Sequence, residues 1–422
     1  MFTPKARYRF YGSPTNYLTA ARHAVAETLG HAIDYRDSLE RRVAELVGVE
    51  HAICVPQARF GLYLTFAELC TPERPEVIMS PYTIHDVVNM VLCAGGVPVY
   101  ADIETDTCNI DAAKIEDLIG PRTAAVMITH LHGLACDVER VMAVCNARQI
   151  PVIEDTAQAF GARVGGRWLG SFGKAGVFSF GRAKNVNAFY GGMVVTSDAR
   201  LAEAIRAELA PLPDEDSAKL AKRIAHCVVG DVMTVPPVFS TGTFRIFRLG
   251  AVRGVKAVNK IVQTEDDPKR KAALPEAYRR RMTSMQARLV LEQLPALDAN
   301  TARRLELARI YEEGLAGLAG IRLPPWREDG SHIYLQYPVQ LEDRWDYVRY
   351  MMRHGRDLAI QHMSSAAELE IFQDFARDCP KARQVAERLV LLPTYPGYGA
   401  DEARKNVDVT RAYLAERGRP RA

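Results

Sequence analysis

From Asp34 to Gly48 apolar residues recur at helical spacing, at Leu39, Val43 and Leu46, and at His51 the period shortens to that of a strand. An alternating series follows. The pattern predicts strands over Ala52 to Val55, Val77 to Ser80, Val97 to Ala101, Ala124 to Thr129 and Val152 to Glu154, separated by helices over Phe60 to Leu69, Val87 to Cys93, Asp111 to Leu118 and Asp137 to Ala147. Strands alternating with helices of this length form a largely parallel sheet covered on both faces, so the expected class is α/β. Val177 to Phe180 and Met193 to Thr196 read as two further strands. At about Leu209 the pattern breaks, and Pro211, Pro213 and a run of acids open a segment read as irregular as far as about Pro275. A long helical pattern then runs from Met282 toward Leu315, Ile333 to Val339 reads as a strand and Asp346 to His354 as a helix. The expected organisation is a large α/β domain over 1–208, an irregular, basic and amphipathic insertion over 209–275, a return to the large domain with an interdomain helix over 276–300, and a smaller C-terminal α+β domain over 301–422.

A chain of 422 residues that is 48% hydrophobic has ample core for two or three domains. Its net charge of +3 gives no global pull toward nucleic acid, but the charge is uneven. Between Phe244 and Lys271 stand Arg245, Arg248, Arg253, Lys256, Lys260, Lys269, Arg270 and Lys271 against Glu265, Asp266 and Asp267, interleaved with Phe247, Leu249, Val252, Val255 and Val258. Such a basic amphipathic face suits weak peripheral contact with a membrane, or a cover over the partner subunit and the substrate entrance. The interruptions at Gly250, Gly254 and Glu265 to Asp267 favour the cover. No run of eighteen apolar residues occurs and Met1 to Phe10 lacks an apolar h-region, so a cytoplasmic location is expected.

Eight scattered cysteines without a C-x-x-C pair argue against a zinc ribbon or a disulfide scaffold. His130-Leu131-His132 puts two imidazoles on one face at the end of a strand, read as a strand-end pair, and no metal is expected. In Gly165 to Gly176 the glycines Gly170, Gly173 and Gly176 recur at every third position, which is not the G-x-G-x-x-G of a nicotinamide site.

Lys184 carries the sharper chemical signal. It lies between two β-rich segments after a cluster of small residues, while Asp155 sits just beyond an apolar strand, where ligand groups gather in open α/β sheets. Each alone has a bland reading, Lys184 as a surface cation and Asp155 as a helix N-cap. Together they suit pyridoxal 5'-phosphate. A lysine amine with a depressed pKa attacks the cofactor aldehyde. A carboxylate keeps the pyridine nitrogen protonated so that the ring accepts electrons. Ser179 and the neighbouring glycines offer donors to the phosphate.

The ordered motifs extend this picture: Pro98-Val99-Tyr100-Ala101-Asp102-Ile103, His130-Leu131-His132-Gly133, Ile153-Glu154-Asp155-Thr156-Ala157-Gln158-Ala159, Gly170-Ser171-Phe172-Gly173 leading to Phe178-Ser179-Phe180, Arg281-Met282-Thr283-Ser284-Met285-Gln286-Ala287 and Leu392-Pro393-Thr394-Tyr395-Pro396-Gly397. The chain carrying them resembles the pyridoxal-phosphate-dependent nucleotide-sugar aminotransferases, the DegT group of the aspartate aminotransferase superfamily, of fold type I. The resemblance implies that Lys184 forms the Schiff base and shuttles the proton, Asp155 pairs with the pyridinium, Gln158 contacts the ring hydroxyl and Ser179 binds phosphate. It also implies transfer of an amino group, from an amino acid such as glutamate to a nucleotide-linked keto sugar, by a homodimer with shared active sites.

Three positions depart from the family pattern. Ala58-Arg59 replaces a glycine and a hydroxyl donor, which offers Arg59 as a bidentate phosphate grip. Ile84 stands where an aromatic ring is expected to stack on the cofactor, and Arg279 where an asparagine reaches the neighbouring subunit's phosphate. The alternatives are a non-catalytic regulatory or assembly protein on this fold and a cofactor-dependent sugar dehydratase, whose relatives replace the lysine with histidine. His332 and the Gln361-His362 turn are candidate contacts for the acceptor.

Overall fold

The computed structural model describes residues 4–9, 15–253, 267–360 and 363–417. Seven strands form the main sheet: β1 (His51–Val55), β2 (Glu76–Met79), β3 (Val97–Tyr100), β4 (Thr123–Thr129), β5 (Val152–Asp155), β6 (Ala175–Ser179) and β7 (Gly192–Thr196). Their order across the sheet is β1-β7-β6-β5-β4-β2-β3. β7 runs antiparallel to both neighbours, and every other pairing is parallel. All of β4 and β5 is buried, which is why these strands read as continuous apolar runs rather than alternating ones. This is the fold type I architecture expected from the motifs.

The parallel register decides where chemistry can occur. Asp155 pairs with Val177, so the C-terminal ends of β5 and β6 open on one edge of the sheet. β6 ends at Ser179, and the chain passes through Lys184 before returning as β7. A second, antiparallel sheet of Tyr337–Gln340, Leu389–Leu392 and Ala359–Ile360 belongs to the C-terminal part. A short ladder from Ser364–Ser365 to Tyr82–Thr83 stitches it to the main body.

Four readings of the sequence need correction. The segment after Leu209 is not irregular throughout: it contains the helix Ser217–Thr234, a turn of helix at Pro236–Val238, a π-helical turn at Phe239–Thr243 and the helix Phe244–Arg253. Pro211 and Pro213 precede the first helix, which Asp216 caps by accepting from Lys219 N at 2.8 Å, and Pro236 starts the next element, where a missing N–H costs nothing. Residues 254–266, which hold Lys256, Lys260, Glu265 and Asp266, lie outside the described residues, as does the Gln361-His362 turn.

The long pattern from Met282 divides into Ser284–Gln293 and Leu297–Leu315, because Pro295 interrupts the hydrogen-bond ladder. The strand expected from Ile333 begins only at Tyr337, since Tyr334 adopts φ +47° and breaks the extended run. His130 and His132 do not share a strand face. β4 ends at Thr129, and His132 sits in a turn at φ +58°.

Candidate active site

Asp155 closes β5 and is 5% exposed, with Oδ1 accepting from Ala157 N at 3.0 Å. Burial pushes its carboxyl above the ordinary value, opposed by that N–H and by the charge of Lys184. The carboxylate is thus short of counter-charge, and Lys184 is close enough to act on it. Lys184 is half-buried in the 181–190 loop, just after Ala183, which holds φ +61°.

The loop is pinned from outside by Gln286 of the Arg281-to-Ala287 motif and by Gln293 and Arg304, which local sequence patterns did not single out. Gln293 accepts from Asn187 N at 3.1 Å and donates to Asn187 O at 2.8 Å, and Gln286 Nε2 donates to Tyr190 O at 2.8 Å. Buried Arg304 donates to Asn185 Oδ1 at 3.2 Å and Leu335 O at 2.8 Å. The Arg281-to-Ala287 motif therefore orients the lysine loop through Gln286.

Beside Asp155, Gln158 accepts from His132 N through Oε1 at 2.8 Å, which leaves its amide N–H₂ as the group it can offer a ligand. Ser179 ends β6, its Oγ accepting from Gly181 N at 3.3 Å. Gly192 pairs with Ser179 on one side and Val55 on the other, and a Cβ there would lie 2.6 Å from Ala58 N and 2.8 Å from Phe178 O. The missing side chain lets the first turn of helix Ala58–Leu69 come down beside Ser179. Gln57 caps that helix without a side-chain hydrogen bond, so its N-terminus suits an anion.

Arg59 is turned toward a carboxylate. Its Nη1 meets Asp86 Oδ2 at 2.6 Å, Tyr278 Oη donates to the same oxygen at 2.7 Å, and Lys271 pairs with Oδ1. Asp86 is 1% exposed, and although burial raises its pKa, these partners hold it well down, at about 2. The Arg59 guanidinium thus has a protein counter-ion as well as its place at the helix N-terminus. Ile84 precedes helix His85–Cys93 and is partly buried in the apolar core. Arg279 follows the anchored Tyr278, half-exposed and loosely paired with Glu276 at 3.9 Å.

Glu154, one residue before Asp155, has a structural task. Its buried carboxylate accepts from Gly170 N at 2.8 Å, from Phe172 N and Gly173 N at 2.7 Å each, and contacts His130 Nε2 at 3.2 Å. His130 Nδ1 accepts from Cys136 N, so Nε2 is the donor toward Glu154. The Gly170-to-Gly173 motif is therefore a clamp on β5 that fixes Asp155. His332 is buried against Tyr334, ring centroids 3.7 Å apart, and burial depresses its pKa to about 3, so it is neutral at ordinary pH. Among the described residues no cluster of three or more His, Cys, Asp or Glu could hold a metal ion.

A buried carboxylate with no ion pair among the described residues, a lysine within its electrostatic reach, and a serine beside a helix N-terminus match the pyridine nitrogen, aldehyde and phosphate of pyridoxal phosphate in chemistry. Comparison with known proteins agrees. The chain is 29% identical over 379 residues to a UDP-N-acetyl-3-dehydro-alpha-D-glucosamine 3-aminotransferase from Acidithiobacillus ferrooxidans, covering 89% of this chain and 88% of that one. It is 28% identical to the GDP-perosamine synthase of Caulobacter vibrioides, covering 85% and 84%. The fold superposes on an aminotransferase from Psychrobacter cryohalolentis with a TM-score of 0.75 at 21% identity, covering 98% and 99%. With the profile of the DegT/DnrJ/EryC1/StrS aminotransferase family matching residues 18–410, the chain belongs to that family and is a pyridoxal-phosphate-dependent aminotransferase of fold type I.

Proposed function

We propose that the protein transfers an amino group from an amino acid, glutamate being the expected donor, to a keto sugar carried on a nucleotide. The observation that carries the catalytic part is buried Asp155 at the C-terminal edge of β5 and β6, within the electrostatic reach of Lys184. The sugar acceptor is supported by the relatives, whose names specify amino sugars on UDP and GDP.

When bound, pyridoxal phosphate supplies a ring that accepts the electrons of the substrate's C–H bond. Asp155 holds a proton on the ring nitrogen, and the ring's positive charge in turn supplies the counter-charge that burial denies the carboxylate. Lys184 Nζ moves the proton between the substrate carbon and the cofactor. The Gln158 amide donates to the ring oxygen. Ser179 Oγ and the Ala58 and Arg59 backbone N–H groups hold the phosphate, with the Arg59 side chain, steadied by Asp86, adding charge at the rim. Ile84 contributes only apolar contact where relatives stack a ring. Arg279 serves the cofactor of the partner subunit in a homodimer.

Borohydride reduction of the holoenzyme should fix the cofactor to the peptide that contains Lys184, and glutamate should be converted to 2-oxoglutarate beyond one equivalent per site only when a nucleotide-linked keto sugar is present. Label on a different lysine removes the assignment of Lys184. Turnover with free keto acids but with no nucleotide sugar in a UDP and GDP panel removes the acceptor class while leaving the lysine assignment intact.

A further inference from the structure

The helical segment 217–253 has an inner and an outer face of different character. Inward, Phe239 and Phe244 join the apolar cluster that contains Tyr347 and Met351, while Leu220 and Cys227 pack toward the main body. Arg223 lies over the Tyr190 ring at 4.2 Å and pairs with Glu215 at 2.6 Å, so this face also covers the loop that carries Lys184. Outward, Val229, Val232, Val238, Ile246 and Leu249 are 43–57% exposed. The inner contacts hold the segment without help from these side chains.

Charge separates the possible occupants of the outer face. Asp231 is the one acid between residues 217 and 253, and it is buried, bonded to Tyr17 Oη at 2.6 Å. Lys219, Lys222, Arg245, Arg248 and Arg253 are exposed and make no ion pair among the described residues. Between residues 217 and 253 the surface is therefore apolar and cationic, with exposed acid only at the N-cap, Asp216. A second copy docking with this face on the two-fold axis would set it against itself, cation against cation, and docking off the axis would need an acidic apolar patch elsewhere on the chain. A soluble polyanion would use the arginines and leave the valines in water. An anionic bilayer satisfies both, with apolar side chains in the headgroup boundary and arginines reaching lipid phosphates.

The geometry agrees with lying on a surface rather than crossing it. Neither helix alone is long and apolar enough to span a bilayer; the two together are, but they meet at 68° across the break at Val235, a bent pair and not one straight span. Gly250, which in the sequence looks like a break in a membrane-facing helix, is on the buried side and leaves the outer face continuous. We infer that the outer face of residues 217–253 docks the enzyme on an anionic phospholipid surface. This inference does not rest on the identity of the sugar acceptor.

The test is co-sedimentation of the full-length holoenzyme with vesicles of phosphatidylcholine alone or mixed with phosphatidylserine, at low and high salt, with oligomeric state followed by light scattering. Binding to the anionic vesicles should exceed that to neutral ones by about tenfold or more and weaken with salt. A cation near such a surface is worth about fivefold in partition, so the pair Arg245→Glu and Arg248→Glu should lose about 25-fold or more. The pair Val232→Asp and Ile246→Asp should bind less than wild type at every salt concentration, while melting temperature and subunit number stay unchanged. Three outcomes overturn the inference: no binding to anionic vesicles, full binding by the aspartate pair, or dissociation of an oligomer by either pair.

Discussion

At Asp86 burial and pairing act in opposite directions, and pairing wins. A carboxyl at 1% exposure would be neutral if alone, yet Arg59, Lys271 and Tyr278 hold it at about 2 against an ordinary 3.8. The folded protein therefore binds this proton less readily than the unfolded chain. The resulting stability, about 2 kcal/mol, is complete above pH ~4 and disappears as the pH falls through about 2. We expect Asp86→Asn to be destabilised by at least that amount at pH 7, with the gap to wild type narrowing between pH 4 and 2. Urea titrations across this range check it, and a gap of constant size down to the lowest pH at which both proteins fold would refute the pairing. None of this is visible locally: Lys271 stands 185 positions from Asp86 in the chain. Glu154 hides in the same way, since its backbone donors are supplied by a turn sixteen to nineteen residues later.

Element by element, the parallel strands were readable because burial on both faces leaves an unbroken apolar run, and β1 to β7 fall within two residues of their expected ends. The helices of 217–253 were not, because prolines read as breakers are also tolerated at first turns, and only position distinguishes the two uses. At the site, Lys184, Asp155, Gln158 and Ser179 stood out by motif, but the loop pins Gln293 and Arg304 depend on contacts from distant helices. The junction of β7 with helix Ala58–Leu69 yields a prediction at this scale. In Gly192→Ala the new methyl meets backbone atoms, Ala58 N at 2.6 Å and Phe178 O at 2.8 Å, which cannot swing aside as a side chain would. Pushing the helix off Ser179 should cost about 1–3 kcal/mol and open the phosphate cup. Gly314→Ala, whose methyl would meet Val407 Cγ1 at 2.5 Å between helices Leu297–Leu315 and Ala400–Arg417, is the control. Both should melt earlier, but only Gly192→Ala should lose cofactor absorbance on dialysis; equal retention in the two would separate Gly192 from phosphate binding.

For the whole molecule, the position of Arg279 matters most. Tyr278 is tied to Asp86, yet the next residue is half-exposed, its ion pair among the described residues being a 3.9 Å contact to exposed Glu276. Arg280 and Arg281 follow, so three guanidinium groups stand in a row with weak or surface-exposed partners, where an isolated ion pair is worth about 0–1 kcal/mol. Arg279 and Arg280 share one exposed carboxylate at 3.9 Å, which leaves room for a further anion, and a phosphate dianion in a second subunit would be bound bidentately. The resemblance to enzymes with shared active sites points to the same place. We therefore expect Lys184→Ala and Arg279→Ala chains each to be inactive as homodimers and to regain part of the activity when mixed. In a mixed dimer one of the two sites combines an intact lysine with the intact arginine of its neighbour. Random exchange between equal amounts makes half the dimers mixed, so activity near one quarter of wild type is the expected ceiling, about that of one good site in every second dimer. Subunit exchange must be verified by tagging the two chains differently. Confirmed exchange without recovery would mean that Arg279 serves its own chain, and the shared-site arrangement would have to be abandoned.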